Sequence, residues 1–308
     1  MKVTDIHHVR YCHSDLAQAE KFLTDFGFQV TEKTENALYL RGAGKFHHIY
    51  VVEKGDRPQF ISVALQAQNC AVLDELATVP GASSIHDIEE PGGGYRVTLT
   101  DPNNFRIDVV AGIAEVDTLP MREPLMWNNA RAKKRFGQTQ RPPKQPAQVL
   151  RLGHLAIDVL NFEESYQWYT TVLGMRATDV VYYGHPSYKI AAFLRCNNGD
   201  KYVDHHTLAI AQSPQARVHH VGCEVEDFDS VKIGHDWLHS QGYQAVWGIG
   251  RHLLGSQIFD YWQDPFGSFI KHFTDGDLFN EQTEATVYPG SLDILYQWGG
   301  PVPQTFLG

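Results

Sequence analysis

Histidine makes up 16 of the 308 residues. Many stand in doublets, at His7–His8, His47–His48, His205–His206 and His219–His220, while His154 and His252 stand alone. Imidazole titrates nearest to neutrality of all side chains and is a common ligand of divalent metals. Runs such as VDHHTLAIA and RVHHVGCEV read as strands. Neighbours on a strand face opposite sides, so only one member of a doublet can look into a given core. A buried imidazole needs partners at both nitrogens, and a metal ion would satisfy one of them. Each position also has a plain role: His154 as a polar residue inside a strand, His219 on the surface, His252 capping a loop, Tyr261 packing. In DPFGSFIKHF, Lys271 shares a face with Phe269 and Phe273, and His272 points the other way.

The background composition narrows the classes. Hydrophobic residues are 43% and charged residues 20% of the chain, ordinary for a globular protein with a core. The net charge of −10 argues against nucleic acid or an anionic membrane surface as partner. No apolar run approaches the roughly 20 residues of a membrane span. MKVTDIHHVRY lacks the apolar stretch of a secretory leader, so a cytoplasmic protein is expected. Cys12, Cys70, Cys196 and Cys223 form no CxxC pair, which argues against a disulfide framework or a cysteine zinc site.

The elements that must position the histidines repeat. IHHVRYCHSDLAQAEKFLTDFGF (6–28) parallels LGHLAIDVLNFEESYQWYTTVLGM (152–175). Each reads as strand, turn and helix, with Asp15 and Asn161 as N-caps and Gly27 and Gly174 closing the helices. FISVALQAQNCAVLDELA (60–77) parallels VHHVGCEVEDFDSVKIGHDWL (218–238). Late in each half, YRVTLTDPNNFRIDVV (95–110) and FDYWQDPFGSFIKHF (259–273) are strand pairs joined by an Asp-Pro turn. The chain therefore reads as four strand–helix–strands units, two per half. The Pro-, Arg- and Lys-rich stretch 131–148 reads as a solvated linker between 1–130 and 149–285. In the tail, 286–308, Leu292, Leu295, Trp298 and Phe306 are apolar enough to cover a barrel or a neighbouring subunit.

Four such units in series resemble the vicinal oxygen chelate (glyoxalase) superfamily, most closely its type I extradiol, catechol-cleaving dioxygenases. The resemblance covers nearly the whole chain. It implies an α+β fold of four βαβββ modules forming two open barrels, with the active site in the second. It implies Fe(II) as cofactor, a small catechol-like aromatic and dioxygen as substrates, and self-association into a homo-oligomer. His154 and His220 fall on its metal-ligand positions. His206 falls on the acid–base position, with His205 as a live alternative or a substrate contact. His252 and Tyr261 fall where substrate oxygen is hydrogen-bonded. Trp168, Tyr169, Tyr182, Tyr183 and Tyr188 are aromatics that could line the pocket, though packing suits most of them as well. The first half places His8, Ser62 and Asp108 at the counterparts of 154, 220 and 271. It reads as a degenerate copy without a good second ligand.

One position departs from the pattern. The family's glutamate, four residues after the glycine, is here Lys271. Replacing one negative by one positive charge about 4 Å from a divalent ion shifts the interaction by about 16 kcal/mol at an effective dielectric near 20. Three readings follow. A metal is retained with Glu224, Asp275, substrate or water completing its shell. Or no cofactor is bound, and Lys271 and His206 serve as acid, base or nucleophile. Or an aromatic ligand is bound without turnover.

Overall fold

In the computed structural model, which describes residues 2–307, the four repeats are four βαβββ modules. The first comprises β1 (Val3–His13), α1 (Leu16–Phe26), β2 (Gln29–Lys33), β3 (Ala37–Arg41) and β4 (Tyr50–Lys54). The second comprises β5 (Gln59–Ala67), α2 (Cys70–Leu76), β6 (His86–Asp87), β7 (Tyr95–Thr100) and β8 (Arg106–Ala111). The third holds β9 (Val149–Val159), α3 (Phe162–Thr171), β10 (Arg176–Tyr182), β11 (Lys189–Arg195), the short β12 (Val203–Asp204) and β13 (Leu208–Gln212). The fourth holds β14 (Arg217–Val225), α4 (Phe228–Ser240), β15 (Gln244–Arg251), β16 (Ile258–Gln263) and β17 (Phe269–Thr274). The chain ends with β18 (Leu278–Phe279), β19 (Thr286–Pro289) and a short helix, α5 (Gln304–Leu307).

The local signals act as their chemistry requires. Asp15 and Asn161 accept hydrogen bonds from the backbone N–H of Gln18 and Glu164, satisfying donors that a helix start leaves open. Gly27 closes α1 at φ 119°, a conformation other residues adopt only with strain. α1 buries Ala19, Phe22, Leu23 and Phe26 on one face. Both Asp-Pro turns are built alike. Asp101 Oδ1 accepts from the N–H groups of Asn103 and Phe105, and Asp264 Oδ1 from those of Phe266 and Ser268, all at 2.8 Å.

Two large sheets and a two-stranded pair, β12 with β18, result, and each large sheet is internally symmetric. The first has the strand order β2-β3-β4-β1-β5-β8-β7-β6, the second β15-β16-β17-β14-β9-β13-β11-β10-β19. In each, the opening strands of two modules pair antiparallel at the centre (β1 with β5, β9 with β14), and each opening strand pairs parallel with the last strand of its own module. The register makes the repeat exact to the residue. Gly222 faces His154 on one side and Lys271 on the other, and Ala64 faces His8 and Asp108.

Most of the chain between β8 and β9 has no regular structure, and residues 131–148 are largely exposed. The halves nevertheless touch through specific groups. His272 stacks on Phe26 (3.8 Å between centroids) and its Nε2 lies 2.7 Å from the Phe26 carbonyl oxygen. The Trp237 indole donates to Asp25 and the Tyr169 hydroxyl to Asp101. The tail lies on the second barrel: Phe306 is buried with Trp247, Phe259 and Tyr261, while Leu292 and Trp298 remain exposed. Among the described residues, no helix is long and apolar enough to cross a membrane.

Candidate active site

His154 sits at the middle of β9, His220 on β14, Lys271 on β17 and Tyr261 on β16; His206 precedes β13 and His252 follows β15. Strand alternation and the register bring all of them to the interior of the second barrel. His154 lies 4.4 Å from His206 and 5.5 Å from His220 between ring centroids, and His220 lies 5.1 Å from Tyr261. Room for His154 exists because position 222 lacks a side chain. A Cβ there would stand 2.3 Å from His154 Nε2.

The hydrogen bonds fix which nitrogen carries the proton. His219 Nε2 is 2.8 Å from the Phe306 carbonyl oxygen, which can only accept, so the ring donates there. With that ring neutral, its Nδ1 accepts from His220 Nδ1 at 2.8 Å. His220 Nε2 is left as a lone pair, buried and without a partner, as a metal ligand must be. Both nitrogens of His154 are likewise buried and unpartnered. A parallel chain operates at the other doublet. His205 Nε2 donates to Asp179 Oδ2 at 2.8 Å and its Nδ1 faces His206 Nδ1 at 2.9 Å. A neutral His206 that donates its Nδ1–H across this contact keeps its Nε2 as a free base. His252 donates Nδ1–H to the Leu295 carbonyl (2.6 Å), so its Nε2 accepts from the Tyr261 hydroxyl at 2.9 Å.

Burial sets the charge state. It holds His154, His206, His220 and His252 well below the usual imidazole range, with Lys271 adding to the effect. Burial also raises Tyr261 well above the phenol range and drives Lys271 well below the amine range. Lys271 is 1% exposed. It donates to Gln257 Oε1 at 2.9 Å and lies over the Tyr261 and Phe273 rings, 5.1 and 5.7 Å from their centroids. Among the described residues no carboxylate pairs with it.

Glu224 and Asp275 do not complete a metal shell. Glu224 is held by Arg151 at 2.6 Å, and Asp275 is exposed and held by Arg251 at 2.7 Å. Trp168 lies on α3 against Tyr169, and Tyr188 is half-exposed with its hydroxyl near Gln212. Neither has a ring or hydrogen-bond contact with the imidazole cluster. His205 lies between His206 and Asp179, with one ring nitrogen against each. No local motif announces Asp179, which lies on β10, 26 residues before its partner His205.

Residues 151–271 match the model of the Glyoxalase/Bleomycin resistance protein/Dioxygenase superfamily. This segment is a domain of that superfamily. The whole chain is 29% identical to metapyrocatechase 2 of Cupriavidus necator, over 99% of this chain and 92% of the relative. It is 24% identical to biphenyl-2,3-diol 1,2-dioxygenase of Paraburkholderia xenovorans, over 88% of each. Among solved structures it resembles the Mn(II)-bound glyoxalase of Novosphingobium aromaticivorans, with a TM-score of 0.82 at 23% identity, covering 99% of this chain and 94% of that one. It resembles homoprotocatechuate 2,3-dioxygenase of Brevibacterium fuscum in complex with 3,4-dihydroxyphenylacetate equally, with a TM-score of 0.82 at 19% identity, covering 99% and 91%. The two-barrel fold of the whole chain is shared with these solved structures.

Proposed function

We propose that this chain is an extradiol-type ring-cleaving dioxygenase of a catecholic aromatic, with its centre in the second barrel and an altered metal site. One observation carries the reading. A backed base (Asp179–His205–His206), a hydrogen-bonding pair (His252–Tyr261) and two ligand-competent imidazoles (His154, His220) converge there. The end-to-end likeness to metapyrocatechase 2 supports the substrate class, as do the neighbouring hydroxyls in the names of the other relatives.

The residues themselves can bind and steer a vicinal diol. His206 Nε2 is poised to take one hydroxyl proton. The Tyr261 O–H is committed to His252, so its oxygen offers an acceptor to the second hydroxyl. Because the phenol keeps its own proton, that hydroxyl stays protonated and the substrate is held as a monoanion. The buried walls exclude water from the charge so formed.

Fe(II) held by two imidazoles and one carboxylate does not fit these side chains. Two donors suit it, but the third place holds an amine that hydrogen-bonds Gln257. None of the proton steps above runs through a metal. The buried Lys271, its amine driven well below the usual range by burial, favours a second reading, in which the same pocket binds a catecholic aromatic and works without metal or does not turn it over.

Metal content and oxygen uptake on a panel of catechols, after anaerobic reconstitution with Fe(II), separate the two. The first reading expects oxygen consumption with ring opening. Tight catechol binding with neither iron nor uptake would establish the second. Self-association, expected of such a chain, is part of the proposal and is read by sedimentation.

A further inference from the structure

The first barrel carries a donor set that the second lacks. We propose that it binds a divalent cation through His8, His48 and Glu90. His8 stands on β1, His48 just ahead of β4, the parallel partner of β1, and Glu90 in the loop between β6 and β7. One ligand atom from each lies within 4.8 Å of the others. His8 and His48 are 4% and 2% exposed, their rings 4.9 Å apart, and the Nε2 of each is buried with no hydrogen-bond partner.

An orphaned buried polar atom costs about 1–3 kcal/mol, and here two of them point into one space with a carboxylate beside them. A cation there would satisfy both. Each ring is also backed as a ligand should be, since His7 Nδ1 and His47 Nδ1 lie 2.8 and 3.3 Å from the Nδ1 of His8 and His48. Ser62 Oγ and Asp108 Oδ2, also buried and unpartnered, belong to the same barrel. Asp108 holds the register position that Lys271 holds in the second.

The ion competes with two contacts: Glu90 Oε1 lies 3.7 Å from Arg96, which also lies 4.0 Å from Asp108, and Glu90 Oε2 is paired with Arg10. Arg10 keeps a second carboxylate, Glu53, at 2.7 Å. Arg10 therefore stays paired when Glu90 turns an oxygen onto the ion. Two imidazoles with one carboxylate select a borderline transition ion such as Mn²⁺, Fe²⁺ or Zn²⁺ over Mg²⁺ or Ca²⁺.

The test is independent of the reaction assigned to the second barrel. The full chain, stripped with chelator and dialysed against Zn²⁺, is assayed for bound metal alongside the H8A/H48A and H154A/H220A double variants. The expected result is loss of one equivalent in H8A/H48A and its retention in H154A/H220A. Crystals of the unaltered protein soaked in Zn²⁺ should show an anomalous peak between His8 Nε2 and His48 Nε2, and this decides the matter if H8A/H48A fails to fold. An unchanged metal count in a folded H8A/H48A variant, or a soaked crystal with no peak at that place, would overturn the proposal. Loss of the metal only from H154A/H220A would overturn it too.

Discussion

The imidazoles of His205 and His206 meet Nδ1 to Nδ1 at 2.9 Å, and the far nitrogen of His205 rests on Asp179 at 2.8 Å. The carboxylate can only accept, so His205 carries a proton on Nε2 and turns its Nδ1 to His206; when His206 donates across that contact, its own Nε2 is left a base. Asp179→Asn replaces that acceptor by a group that can present N–H instead. Catechol turnover should fall about 10–100-fold, the usual cost of losing a partner behind a functional imidazole, with KM little changed. His206→Ala should fall at least as far. Steady-state kinetics on both variants check this, and an Asp179→Asn variant with unaltered kcat would leave the relay without a role.

The amine of Lys271 stands at the third corner of the imidazole cluster. Lys271→Glu restores a negative charge there, and that charge alone attracts a divalent ion about 4 Å away by about 8 kcal/mol at an effective dielectric near 20. The variant should retain Fe(II) through gel filtration with His154 and His220 as its other ligands, where the unaltered protein binds it more weakly at this site. Iron analysis on an H8A/H48A background reads the second barrel alone. Equal iron in both proteins would mean that residue 271 does not face the ion.

Much of this arrangement is legible in the sequence, and for identifiable reasons. Period-two alternation put Lys271 and His272 on opposite faces, the family resemblance chose Lys271 as the inward one, and the structure buries one beside Tyr261 and stacks the other on Phe26. The Asp-Pro turns and helix caps are local chemistry, so Asp101, Asp264, Asp15 and Asn161 announced themselves. Partners supplied by distant segments did not. Asp179, Gln257 and the Phe306 and Leu295 carbonyls reach the site through sheet closure and tail packing, and no short-range pattern encodes either. Glu90 was missed because it sits on a loop, where alternation gives no facing rule. Alternation likewise says which face a residue takes, not whether a neighbour blocks it. That is why Glu224 could be considered a ligand although Arg151 holds it.

Gly222 is the residue that lets His154 lie in the barrel. An added Cβ would meet His154 Cε1 at 2.2 Å and Nε2 at 2.3 Å, distances that side chains do not tolerate. Gly222→Ala should therefore turn the imidazole away, costing about 1–3 kcal/mol as overpacking of a core does and abolishing turnover. The matching position of the first barrel already carries Ala64, so the strand itself accommodates the residue. Chemical denaturation and oxygen uptake together test this. A variant that loses stability but keeps activity would show that His154 is not needed at its present place.

His235 on α4 bonds Asp260 Oδ1 at 3.0 Å, and that hydrogen bond, ahead of the opposing effect of burial, raises the imidazole above its ordinary 6.5. Asp260 is wholly buried and also receives the Trp262 indole N–H. A group whose folded pKa is raised stabilises the fold fully below its unfolded value, and the contribution disappears as pH rises through the folded value. His235 is about a quarter exposed, so solvent screening limits the gain to about 1 kcal/mol. His235→Gln should accordingly lower unfolding stability by that amount below pH 6.5 and by progressively less as the solution becomes alkaline. Urea titrations of both proteins across that range measure the difference. A gap that widens with rising pH would mean that the charged imidazole is not what binds Asp260.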